Sequence, residues 1–197
     1  MVLLSNGSFL ASYYIFIRDG FKIREEELLE RLGLLEYKLL DNEWKRNPKI
    51  LLRKRKKHIF LAEVENWKHL MDDFTYSLRF NPDFENKLNA LSKSFDIFCC
   101  SIGDIDESFD FKYFENGALK REYIVEDPKF NGGEITKNFG QPLGNETVAL
   151  EKKDLQDKVL SIAKLIGINT NHQLEKISCY SKTIKETELF MFNENEY

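Results

Sequence analysis

Cysteine is scarce, with three residues in a chain of 197. An odd, sparse set rules out a disulfide framework, and no zinc-type spacing is present. Successive strand residues point to opposite sheet faces, so Cys99 and Cys100 are badly placed to share a metal. Together with Cys179 they are expected to be buried packing residues. The histidines, His58, His69 and His172, are far apart and offer no ligand spacing, and no Ser-His-Asp or Cys-His arrangement can be argued. A glycine-rich phosphate loop is missing, because Asn131-Gly132-Gly133-Glu134 follows no strand–helix pattern. The apolar opening MVLLSNGSFLASYYIFIRDG lacks the basic start of a signal peptide. It is broken by Ser, Asn and Gly and is too short to span a bilayer. These absences lead to the expectation of a cytoplasmic chain with no cofactor, no metal site and no membrane partner.

What is present is aromatic bulk and charge. Sixteen Phe and eight Tyr supply a core and argue against disorder. The length fits one domain, 1–197, able to bury a core without staples. Net charge is −4, but it is unevenly placed. The stretch KRNPKILLRKRKKH, residues 45–58, holds eight Lys or Arg and no acid, leaving the rest of the chain at −12.

Periodicity gives the elements. REEELLERLGL reads as a short helix, with Leu28, Leu29 and Leu32 on one face, acids in the first turn and Gly33 as the cap. Lys49–Lys54 and His58–Glu63 read as strands, as does Tyr13–Arg18 before them. In NPDFENKLNALSK, Asn81 is the expected N-cap and Pro82 the first helical residue, with Phe84, Leu88 and Leu91 as the buried stripe. FDIFCCSIG is a buried strand, and PKFNGGEITKNFGQPLGNE a long loop. Leu155, Val159, Ile162, Ala163 and Ile166 mark the clearest helix, ended by Gly167. LEKISCYSK and ETELFMFN are candidate closing strands. Strands cluster centrally without regular strand–helix alternation. The expected fold is therefore α+β, a mainly antiparallel sheet with helices packed on one side.

SFDFKYFENGALKREYIVE reads as a hairpin. A two-residue Asn116-Gly117 turn would set Phe111 opposite Glu122 and mix the faces. A three-residue loop, Glu115-Asn116-Gly117, keeps Phe109, Phe111, Tyr113, Leu119, Tyr123 and Val125 together and is the expectation. Asp110, Lys112, Lys120 and Glu122 then form the outer face. Arg121 falls on the apolar side.

Asp104 and Asp106, following a buried strand, resemble the first motif of haloacid-dehalogenase phosphatases, with nucleophile and acid/base aspartates. The hairpin that follows stands where a helical crossover should start, so a metal-dependent hydrolase is only the alternative reading. Asp104, Asp106, Ser108 and Glu115 also match calcium-loop positions, but Phe109 replaces the required glycine. The basic run 45–58 offers a nucleic-acid alternative, disfavoured by overall acidity and by thin aromatic interleaving from Trp44 and Phe60.

Two fragments carry a family likeness. One is the return strand Gly117-x-Leu119-x-Arg121-Glu122, the other Gly140-x-Pro142-Leu143-x-x-Glu146. With the early helix, the paired strands and the closing helix, this order over roughly residues 20–165 resembles bacterial immunity-type proteins, the antidotes of polymorphic toxins. The resemblance implies a cytoplasmic, non-catalytic α+β protein that binds and inhibits a cognate toxin protein. Many toxins are nucleases with basic clefts, which an acidic surface would be steered to fill. The candidate partner-binding residues are Asp104, Asp106, Glu107, Asp110, Glu115 and Glu122.

Overall fold

A computed structural model describes residues 13–47, 51, 56–72, 78–79, 81–103, 106–169 and 175–184. The expected strand Lys49–Lys54 lies, apart from Leu51, outside the described residues, as do ETELFMFN, Asp104 and His172. The strands are β1 (Tyr14–Arg18), β2 (Lys38–Leu39), β3 (Lys56–Val64), β4 (Trp67–Asp72), β5 (Ile97–Ile102), β6 (Phe109–Glu115), β7 (Ala118–Glu126), β8 (Glu134–Gly140) and β9 (Glu175–Thr183). The helices are α1 (Glu25–Arg31), α2 (Glu43–Arg46), α3 (Pro82–Leu91), α4 (Glu146–Leu150) and α5 (Leu155–Leu165). All strands join one sheet in the order β2-β9-β3-β4-β1-β5-β6-β7-β8. Every described pairing is antiparallel. The α+β expectation holds.

The helices do not share one side. Alternate residues of each central strand feed two separate cores. Tyr14, Phe16, Trp67, Phe98, Cys100, Phe111 and Tyr123 pack with Ala149 of α4 and with Val159, Ile162 and Ala163 of α5. Ile15, Ile17, Leu61, Leu70, Ile97 and Cys99 pack with Leu28 and Leu29 of α1 and with Phe84, Leu88 and Leu91 of α3. We call these the α5 face and the α3 face. The central strands are apolar on both faces, so both must be covered.

Local signals explain the helices. Asn81 Oδ1 accepts from Asp83 N at 3.0 Å and from Phe84 N at 3.4 Å, capping α3 as expected. Asp154 caps α5 by accepting from Asp157 N at 3.0 Å. The C-terminal end of α5 is pinned to the sheet. Arg18 Nη2 donates to the Ile166 carbonyl at 2.8 Å, and Trp67 Nε1 to that of Gly167 at 3.2 Å.

The hairpin differs from expectation. Its turn is the two-residue one, with Asn116 and Gly117 both at positive φ, 53° and 75°, so Glu115 faces Ala118. The pairing then shifts. Phe114 faces Leu119, but Tyr113 faces Arg121, which makes Lys120 an extra, bulged residue. That bulge restores the face the two-residue turn would have lost, and Phe111 now faces Tyr123. Leu119 moves with Phe114 to the α3 face.

The expected long loop also contains a strand. β8 lies at its centre and pairs with β7, with Thr136 as an extra residue between Lys137 and Ile135. The flanking glycines hid it. Gly140 ends the strand at φ 81°, and a Cβ there would overlap the Lys120 carbonyl oxygen.

Candidate functional site

One buried ion pair joins β7 of the hairpin to α4. Arg121, on the α5 face of β7, is almost wholly enclosed. Its Nε lies 3.0 Å from both carboxylate oxygens of Glu146, and its Nη2 lies 2.5 Å from Oε1. Nη1 donates to Asn138 Oδ1 at 2.7 Å and to the Phe139 carbonyl at 2.8 Å. The guanidinium lies over the Tyr123 ring, 5.2 Å from its centroid. Glu146 Oε2 also accepts from Leu143 N at 2.9 Å. The arginine of the return strand and the glutamate of the Gly-x-Pro-Leu fragment, 25 residues apart in sequence, thus meet directly. A bidentate, extensively hydrogen-bonded pair tolerates burial that either charge alone would not.

At the end of the sheet where β6 begins and β7 ends, Asp127 joins two loops. Its carboxylate accepts from Glu107 N at 3.2 Å, Asn131 N at 2.7 Å and Gly132 N at 3.4 Å. Asp127 N in turn donates to Ser108 Oγ at 2.9 Å. Burial pulls the Asp127 carboxyl upward, but backbone N–H donors from Asn131, Glu107, Gly132 and Gly133 outweigh it and hold the group below the usual range. Asp106, Glu107, Asp127, Phe130 and Gly132 line an open depression there of about 350 Å³.

The predicted site residues do not form one patch. Asp106 is half-buried and caps its own turn, accepting from Ser108 N at 2.9 Å, whereas Glu107 is exposed beside it. Glu115 is at the opposite end of β6, where Tyr113 donates to it at 3.3 Å. Six residues of strand, on the order of 20 Å, separate the two ends. Asp110 and Glu122 are buried on the α3 face rather than free on an outer surface. Asp110 pairs with Arg79 and accepts from Ser101 Oγ at 2.9 Å. Burial raises its carboxyl, against the lowering pull of Arg79, Ser101 and Lys112. Glu122 lies 3.2 Å from Lys112 and 2.9 Å from Lys137. Burial opposes its charge, but these two lysines win and lower its carboxyl. Of the outer face expected for the hairpin, Asp110 and Lys112 floor a groove beneath α3, lined also by Arg79, Phe84, Glu85 and Glu126, with a cavity of about 130 Å³, while Lys120 stays exposed.

The alternative chemistries gain little structure. β5 runs antiparallel to both neighbours, unlike the parallel strand that a phosphatase motif needs. Ser108 immediately precedes β6 and Glu115 ends it, so these two calcium-loop positions sit a strand's length apart. Among the described residues no group of three or more His, Cys, Asp or Glu could hold a metal ion. No described helix is long and apolar enough to cross a membrane. In the basic run, Lys57 sits directly opposite Lys182 on β9, and Lys182 is neutralised by Glu36. Trp44 and Phe60 pack on each other with centroids 5.7 Å apart. The three cysteines are buried thiols. Burial pushes Cys99 up to about 12 and Cys100 up as well, the opposite of an activated thiol.

Three features escaped the sequence reading: the Arg121–Glu146 pair, Asp127, and β8 as an exposed edge carrying Ile135 and Phe139. An arginine on an otherwise apolar strand face was the available sign of the first. Alternating Ile135, Lys137 and Phe139 was the sign of the third.

No family model matches the chain, and no curated protein or solved structure matches it either.

Proposed function

We propose that the chain is a non-catalytic, immunity-type protein that binds and inhibits one cognate toxin protein in the cytoplasm. The observation that supports this reading is the junction of Arg121 with Glu146. The two fragments behind the resemblance meet in one buried unit, which ties β7 and β8 to α4. A stiff sheet end with exposed carboxylates at Glu107, Glu126 and Glu134 loses little entropy on docking and steers a basic partner. The depression bearing Asp106, Glu107 and Phe130 is the natural place for first contact.

The test is genetic and biochemical. The neighbouring gene should encode a large secreted toxin. Co-expression should relieve its growth arrest, and the two proteins should copurify as a defined complex. Replacing Glu107 and Asp106 by Lys should slow association and weaken the complex most at low salt. Unrelieved arrest with no complex would refute the reading.

A further inference from the structure

The sheet ends unequally. At one edge β2 is two residues long, whereas at the other β8 runs for seven residues, all of them exposed. Among the described residues nothing pairs with the outer side of β8. Phe139 is 49% exposed and Ile135 58%, and Phe130 just before the strand is 65% exposed. Large apolar side chains beside an open row of backbone donors and acceptors form a template for another strand.

The charges around β8 say which kind of strand. Glu134 faces Glu126 directly across the β7–β8 pair. Like charges in that position repel, and neither glutamate has a cation among the described residues. Lys137, by contrast, is already held by Glu122 at 2.9 Å. Glu126 and Glu134 therefore place two unpaired carboxylates side by side at the start of β8.

A second copy of the chain fits poorly. The symmetric antiparallel register that uses all of β8 sets Lys137 against its own counterpart. The extra residue Thr136 puts Ile135 on the α5 face beside Val125 and Phe139 on the α3 face beside Glu122. The apolar residues of two copies would then fall on opposite faces. The occupant is a different chain.

We infer that β8 accepts an extended segment of the partner protein as a tenth strand of the sheet. That segment carries a Lys or Arg beside Glu134 and Glu126, and apolar residues beside Ile135 and Phe139. Main-chain pairing supplies the affinity and the glutamate pair selects the cation. The inference rests on the inhibitor reading for the identity of the partner, not for the existence of the site.

The probe is a blocked seven-residue peptide, Thr-Val-Thr-Thr-Val-Lys-Lys, which paired antiparallel sets valine beside Phe139 and Ile135 and lysine beside Glu134, compared with the same peptide carrying glutamate in place of both lysines. Amide exchange and chemical shifts are followed by NMR on the whole chain. The lysine peptide should slow exchange at β8 and bind at least about tenfold more weakly when salt rises from 0.05 to 0.5 M. Glu126→Lys with Glu134→Lys should invert the preference toward the glutamate peptide, and Ile135→Lys with Phe139→Lys should abolish docking. These positions are exposed, so near-ultraviolet circular dichroism should be unchanged. Absence of protection at β8, or equal binding of both peptides, overturns the inference. If a neighbouring toxin is neutralised equally well by the Ile135→Lys, Phe139→Lys variant, the edge is not the contact and the inference falls while the inhibitor reading stands. If the lysine peptide docks but no toxin is neutralised, the edge site stands and the inhibitor reading falls.

Discussion

His69 should make the protein sensitive to mild acid. The imidazole is fully buried on β4, stacked on Phe16 with centroids 4.2 Å apart and against Tyr14 at 5.8 Å. Neither ring nitrogen has a hydrogen-bond partner among the described residues. Burial lowers its pKa from 6.5 to about 3, because a cation there would be cut off from water. The unfolded chain therefore binds a proton near pH 6.5 that the folded chain refuses until about pH 3. The stability this group confers is complete above pH 6.5 and drains away as pH falls below it. Between pH 8 and pH 5 the loss from this one residue is about 2 kcal/mol, from the 1.36 kcal/mol per pKa unit of the linkage relation. With a urea m-value of about 2 kcal/mol/M, the unfolding midpoint should drop by about 1 M. His69→Phe keeps an aromatic ring on Phe16 and removes the titration. Its midpoint should fall by about 1 M less over the same pH interval. Most carboxylates titrate below this window, so they blur the comparison little. Equal losses in wild type and His69→Phe between pH 8 and pH 5 would show that His69 is hydrated or paired, and the argument would fail.

Further outcomes follow from other sites. Arg121→Ala strands the Glu146 carboxylate and should cost about 3–5 kcal/mol in urea unfolding, whereas Arg121→Met with Glu146→Leu should recover most of that. Gly140→Ala should destabilise by more than about 1 kcal/mol, since its φ of 81° and the nearby Lys120 carbonyl leave no room for a Cβ. Asp127, with its carboxyl held below the usual range, contributes fully at neutral pH and loses its effect as pH falls below the ordinary aspartate value of about 4. Asp127→Asn should therefore flatten the acid limb of the stability curve and speed amide exchange at Asn131 and Gly132. The three cysteines should ignore an aromatic disulfide reagent at pH 8 in the folded state and all react in denaturant, as counted by released thiolate absorbance.

Local sequence was enough wherever one stretch of chain carries its own instruction. Asn81-Pro82 starts α3, the spacing of Leu155, Val159 and Ile162 makes α5, and Gly33 and Gly167 stop helices by taking positive φ. The antiparallel α+β class was legible for the same reason, since short aromatic strands without regular crossovers leave few other packings. Sequence also showed that Cys99 and Cys100 face opposite ways and that Arg121 falls on an apolar face.

The tertiary structure alone decided how those faces were used. Asp110 and Glu122 look like solvent residues in an alternating strand, yet both are buried, Asp110 in the groove beneath α3 with Arg79, Glu85 and Lys112, and Glu122 between Lys112 and Lys137. Whether Arg121 was an error in register or a buried charge depended on Glu146, which only the fold brings within 3.0 Å. The hairpin register turned on a bulge at Lys120 that no propensity marks. Polar alternation tells which side chains share a side of a strand. It does not tell which side the rest of the chain will cover, because that is fixed by the summed burial of distant elements against the sheet.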